Sequence, residues 1–160
     1  MPIEYEELEA DDICRDLVST IPNLNHLNDV RIKFLSVIKT DANDEPVRWR
    51  NTFRVKKLPR DMAFCVGADV IVYVDRYSWI DVDCGVSGIE EHRRYIICSA
   101  LCCILNDDRG LLVDYIDNRS VEILSINFPD KTKPYADSVY SKVKNSPYLK
   151  NYLLNLLTDS

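Results

Sequence analysis

The sequence predicts an α+β fold: a small mixed or antiparallel sheet packed against a buried central helix, with helical segments at the N- and C-terminal ends. Three stretches carry the prediction. VRWRNTFRVKK, Val47 to Lys57, alternates apolar and basic residues, as a strand with one covered face does. ADVIVYVDRYSW, Ala68 to Trp79, holds a short continuous apolar run, the pattern of a strand covered on both faces. YIICSALCCILND, Tyr95 to Asp107, is apolar almost all round a helix, and such a helix is usually buried.

At 160 residues the chain fits one domain, residues 1–160, and no internal repeat, low-complexity segment or Gly/Ser linker divides it. Residues 4–20 read as a helix. Tyr5, Leu8, Ile13, Leu17 and Ile21 can share a face, acids crowd the first turns where the helix dipole favours them, and Pro22 ends it. DVRIKFLSVIK, Asp29 to Lys39, reads as a strand in which Val30, Ile32, Phe34, Ser36 and Ile38 alternate with Arg31, Lys33 and Leu35. TDANDEP is a polar turn. In Val47 to Lys57, Val47, Trp49, Phe53 and Val55 point one way and Arg48, Arg50, Arg54 and Lys56 the other.

After Trp79, DVDCGVSG breaks the pattern. Ser87 and Glu90 form a capping box that opens a helix running to about Leu105, closed by NDDRG. LLVDYIDNRSVEILSINF reads as a hairpin turning at Asp117 and Asn118. Two short helices, within Tyr135–Lys144 and Pro147–Leu157, finish the chain as an extension over about 134–158. The second presents Tyr148, Leu149, Tyr152, Leu153 and Leu156 on one face, which could support self-association.

The net charge of −6 is local. The first 20 residues hold seven acids (Glu4, Glu6, Glu7, Glu9, Asp11, Asp12 and Asp16) against Arg15 alone, and the rest of the chain is balanced. A DNA mimic spreads its charge over a large face, so the distribution argues against that class. The opposite charge gathers between Pro46 and Arg60, where Arg48, Arg50, Arg54, Lys56, Lys57 and Arg60 stand with no acid. They form either a solvated outer face or a surface for nucleic acid or an acidic partner. Strand periodicity sets Trp49 and Phe53 opposite these bases, as core residues rather than stacking aromatics. No apolar run approaches the roughly 20 residues of a membrane span. The acidic N-terminus does not look like a signal peptide. A cytoplasmic location with reduced cysteines and no membrane contact is the expectation.

The cysteines of YIICSALCCILND raise three chemistries. A zinc site usually needs CxxC pairs or spaced histidines, and no CxxC exists here. Cys98 and Cys102, four apart, could share an ion but would need two further ligands, with Cys65 and Cys84 the only other plausible thiolates. A nucleophilic cysteine needs a base. On one helix His92 and Cys103 would lie about 16 Å apart, so only His26 could serve, through a long-range contact; His92 in EEHRR is expected to be exposed. The remaining role is packing, since a free cysteine behaves as a small hydrophobe. No metal and no cofactor are expected.

The order of elements, with a buried strand ending in DRYSW and a following helix carrying EEHRRYIICSALCCIL, resembles the phage metallopeptidases of the zincin-like class. The resemblance covers about residues 5–125 and implies a zincin-like core. Members carry HExxH on that helix: two histidines hold zinc and the glutamate takes a proton from its water. Here Ser99 stands at the first His position, Ala100 at the Glu and Cys103 at the second His. No histidine follows His92 to serve as a third ligand. The resemblance therefore implies the frame without the activity: a non-catalytic, phage-encoded binding protein acting on a host factor, such as a defence nuclease. Its candidate contacts are the acidic segment (Glu4, Glu6, Glu7, Glu9, Asp11, Asp12) and the basic one. The alternatives are a nucleic-acid-binding protein using residues 48–60, and a cryptic thiol or metal-dependent hydrolase. The oligomeric state is open.

Overall fold

The computed structural model describes residues 2–80, 88–108, 110–114 and 118–129. It is a mixed α+β structure built on a mixed sheet. The strands are β1 (Ile3–Glu7), β2 (Ile32–Thr40), β3 (Pro46–Val47), β4 (Phe53–Lys57) and β5 (Val70–Asp75), in the order β1-β2-β5-β4. β2 and β5 are parallel, while β1 on β2 and β4 on β5 are antiparallel. Lys39 has Ile3 on one side and Val47 on the other, so β3 continues the lane of β5.

β5 carries the apolar run that the sequence singles out, and all but Tyr73 of its residues are buried. Val70, Val72 and Val74 face the main core with Phe34, Ile32, Phe53 and Val55. That core is closed by α1 (Asp11–Thr20), a 3-10 turn (Pro22–Leu27), α4 (Gly88–Cys102) and α5 (Asn118–Asn127). Ile71 faces the other way and meets Leu58 and Ala63, with Leu35 and Tyr73 beside them. This smaller cluster lies under α2 (Arg60–Val66). Pro59 before α2 and left-handed Gly67 (φ 77°) after it are ordinary helix punctuation that the reading by alternation passed over.

Several expectations change. Residues 4–20 are not one helix: Ile3–Glu7 is a strand and only Asp11–Thr20 is helical. IEYEE alternates with period two, and β2 satisfies its backbone, which outweighs the helix propensity of its glutamates. The strand proposed over Val47–Lys57 is broken at residues 48–52. α4 ends at Cys102 rather than near Leu105, because Ile104–Asp107 turns back as β6 against β7 (Gly110–Val113). The hairpin of β6 and β7 falls before Asp114, and Asn118, expected at a turn, begins the helix Asn118–Asn127; Asp117 lies outside the described residues. Ser120, Ile123, Leu124 and Phe128 are the buried side chains of that region, a helical spacing. The capping role of Ser87 and the two C-terminal helices lie outside the described residues. Among the described residues no helix is long and apolar enough to cross a membrane.

Candidate functional site

The helix α4 is occupied by packing. From Ile96 to Cys102 every residue of α4 is buried. Cys98 and Ala100 have no exposure and Ser99 and Cys103 almost none. Ser99 Oγ donates to Tyr95 O at 2.7 Å and Cys103 Sγ to Ser99 O at 3.5 Å, so both polar atoms bond back to the backbone of α4. A hydrogen bond from the Cys102 thiol favours the Cys98 thiolate and lowers its pKa; burial opposes this, and Arg94 one turn back assists. Among the described residues no group of three or more His, Cys, Asp or Glu is placed to hold a metal ion.

Neither histidine adjoins a thiol through Nε2. His26 Nε2 lies 3.0 Å from Ile104 O. His92 is half-buried rather than exposed, with Nε2 2.8 Å from Ser78 O. It belongs to a structural clasp around α3 (Arg76–Trp79), the short helix after β5. Asp75, fully buried, caps the start of α3 by accepting from Ser78 Oγ at 2.8 Å and Tyr77 N at 3.4 Å. His92 and Arg93 hold its end, Arg93 Nε donating to Trp79 O at 3.1 Å with its guanidinium over the Trp79 ring.

Two clefts flank the core. One, of about 320 Å³, is lined by Cys14 with Asp11, Val18, Leu27 and Phe34. Burial, with Asp11 next, pushes the Cys14 thiol up to about 11 while Arg15 opposes. The other, of about 690 Å³, runs beside β4 between Phe53, Val55, Cys103 and Val113.

The acidic candidates divide between a sheet edge and a helix start. Glu4, Glu6 and Glu7 line exposed β1, Glu6 bridging to Arg76 at 2.7 Å and Glu7 to Lys33 at 3.6 Å. Glu9, Asp11 and Asp12 surround the first turn of α1, where Asp12 pairs with Arg15. They form no single surface.

The basic candidates are all exposed: Arg48, Arg50, Arg54, Lys56, Lys57 and Arg60. The sheet register sorts them. Arg54 lies opposite Tyr73 and Lys56 opposite Ile71, so both rise from the face away from the main core. Lys57, opposite Val70, points to the other face. Arg48 lies over the Tyr77 ring, 5.3 Å from its centroid. Among the described residues no acid pairs with Arg54 or Lys56.

The same register adds residues that alternation within one strand could not reveal. Tyr5 of β1 lies opposite Val37 and Tyr73 lies beside Leu35, which puts both tyrosines on the face of Arg54 and Lys56. Their rings meet edge to face at 5.8 Å. Tyr5 is 58 % exposed. Phe53 and Val55 turn toward the core, as the alternation predicts, and Trp49 is half-buried in the connection between β3 and β4. The result is a small aromatic platform bordered by two cations.

The chain matches no family model, no curated protein and no solved structure. Function is therefore argued from this geometry.

Proposed function

We propose that the protein is a non-catalytic binding module that holds single-stranded nucleic acid on the outer face of its sheet. The observation that carries the reading is the placing of Arg54 opposite Tyr73, with Lys56 beside them and Tyr5 against the Tyr73 ring. Exposed aromatic rings on a sheet stack unpaired bases of any sequence, and flanking cations meet the phosphates. The overall charge of −6 does not cancel this local field. Glu7, the acid of β1 on that face, bridges to Lys33, and Arg54 and Lys56 on β4 lie three strand spacings from β1, about 14 Å, whereas screening at physiological salt acts over about 8 Å. The non-catalytic part draws support from the burial of Ser99, Ala100 and Cys103, the residues that the metallopeptidase resemblance sets at the ligand and base positions.

A second reading keeps the expected host-protein partner, and the exposed acidic strand with Glu4 and Glu6 favours it. Titration of nuclease-treated protein into labelled single-stranded DNA and RNA at low salt decides between them. Binding that weakens steeply with salt supports the nucleic-acid reading, and absence of binding to both defeats it. Affinity purification from the native host with nuclease treatment then tests the protein partner.

A further inference from the structure

The two edges of the sheet are complementary. β1 at one edge reads IEYEE and β4 at the other reads FRVKK. Each has five residues, and each begins by alternating apolar and charged side chains: Ile3, Glu4, Tyr5, Glu6 against Phe53, Arg54, Val55, Lys56. The charges have opposite sign. Among the described residues β1 pairs only with β2 and β4 only with β5, so no described strand takes up the second row of backbone donors and acceptors of either. Charge on an edge strand normally guards against pairing with other chains. Here it guards β1 against β1 and β4 against β4, but it attracts β1 to β4.

We propose that copies of this chain associate head to tail, the β1 edge of one adding to the β4 edge of the next as an antiparallel strand. Within one chain Tyr5 is on the outer face and Val55 on the core face. Matching apolar with apolar therefore needs the second copy turned over about the direction that crosses the strands. This rotation keeps the strand order. It also reverses strand direction, so β1 and β4, parallel within one chain, meet antiparallel between copies. Setting Tyr5 against Val55 then puts Glu4 opposite Lys56 and Glu6 opposite Arg54. Ile3 and Tyr5, exposed by 41 % and 58 %, enter the cleft lined by Phe53, Val55, Cys103, Val113 and Asp114, and Glu7 comes to lie opposite Phe53. Such a contact uses different patches on its two sides and does not close on a pair, so it builds rows rather than dimers. The contact uses the same Arg54, Lys56 and Tyr5 as the nucleic-acid reading, so the two compete for these side chains, and sedimentation without nucleic acid tests this one alone.

Sedimentation velocity of the nuclease-treated full chain tests it. Rising protein concentration at low salt is expected to produce species larger than a dimer, and about 0.5 M salt to dissolve them. E4K/E6K and R54E/K56E should each weaken association by about tenfold or more, because each gives a chain two like-charged edges. Their equimolar mixture should associate again, since the remaining acidic edge of one variant meets the remaining basic edge of the other. Carbodiimide coupling of wild-type protein, mixed from two isotope labels, should join Glu4 to Lys56 between copies, a result that does not depend on any variant folding. A monomer at every concentration, association unchanged in either variant, or the absence of that cross-link overturns the proposal.

Discussion

Tyr73 of β5 stands directly opposite Arg54 of β4, and both rise from the face of the sheet away from the main core. If that pair holds a base and its phosphate, the two contributions separate. Tyr73→Leu keeps an apolar side chain beside the Leu58, Ala63 and Ile71 cluster but removes the ring. It should cost about 1–3 kcal/mol of binding for one stacked base, with the salt dependence unchanged. Arg54→Ala should weaken binding and lower the salt slope by about 0.7. Fluorescence anisotropy with a homopolymeric oligonucleotide over a salt series reads both.

Asp75 and Ser78 give a prediction about stability. The carboxylate of Asp75 is fully buried and holds the start of α3 through two acceptor bonds. Asp75→Ala leaves both donors without it and should destabilise by about 1–3 kcal/mol. Ser78→Ala removes one donor and should cost less. Urea unfolding of the two variants tests the order.

Ser36 works in the opposite direction. Its hydroxyl is buried in β2 and has no hydrogen-bond partner among the described residues. Removing an unsatisfied polar atom relieves its desolvation cost, so Ser36→Ala should be neutral or stabilise by up to about 1 kcal/mol. A lowered urea midpoint would reveal a partner for that oxygen.

The cysteines of α4 act as core residues. Cys98→Ala should cost about 1 kcal/mol, the loss of a small buried group, whereas Leu101→Ala should cost about 2–5 kcal/mol. Neither should release metal from the purified protein. A stoichiometric ion lost on Cys98→Ala would contradict the packing role.

Cys14 carries the pH prediction. Its thiol is pushed up to about 11 from an ordinary 9.0, so the folded chain holds that proton more tightly than the unfolded chain. Stability from this group is intact below about pH 9 and is lost as pH rises toward 11. At pH 8 its thiolate fraction is about a hundredfold below that of an ordinary thiol. The stronger nucleophilicity of a high-pKa thiolate narrows the alkylation deficit to about tenfold. Mass spectrometry of brief iodoacetamide labelling should find Cys65, which is exposed, modified well before Cys14.

β5, β2 and α4 were legible because their signals are long or extreme: a continuous apolar run, a nine-residue strand and a helix apolar all round. β1 was not, because glutamate is a good helix former and its alternation spans only five residues. α5 is hard to read because a hairpin and a helix compete over a short apolar stretch, and only the spacing of Ser120, Ile123, Leu124 and Phe128 favours the helix. The site was half legible. Arg54 and Lys56 follow from alternation within one strand, but Tyr5 and Tyr73 join them only through register across three strand pairings, which no local pattern encodes.

β5 serves two masters. Val70, Val72 and Val74 anchor in the main core while Ile71 and Tyr73 face outward from between them. The backbone of Tyr73 cannot shift without moving Val72 and Val74, which have no exposure at all. The amides of β5 should therefore exchange with deuterium only through openings near the global unfolding free energy. A ligand arriving at Tyr73 would meet a surface already in place, and almost none of its binding energy would go into ordering the protein.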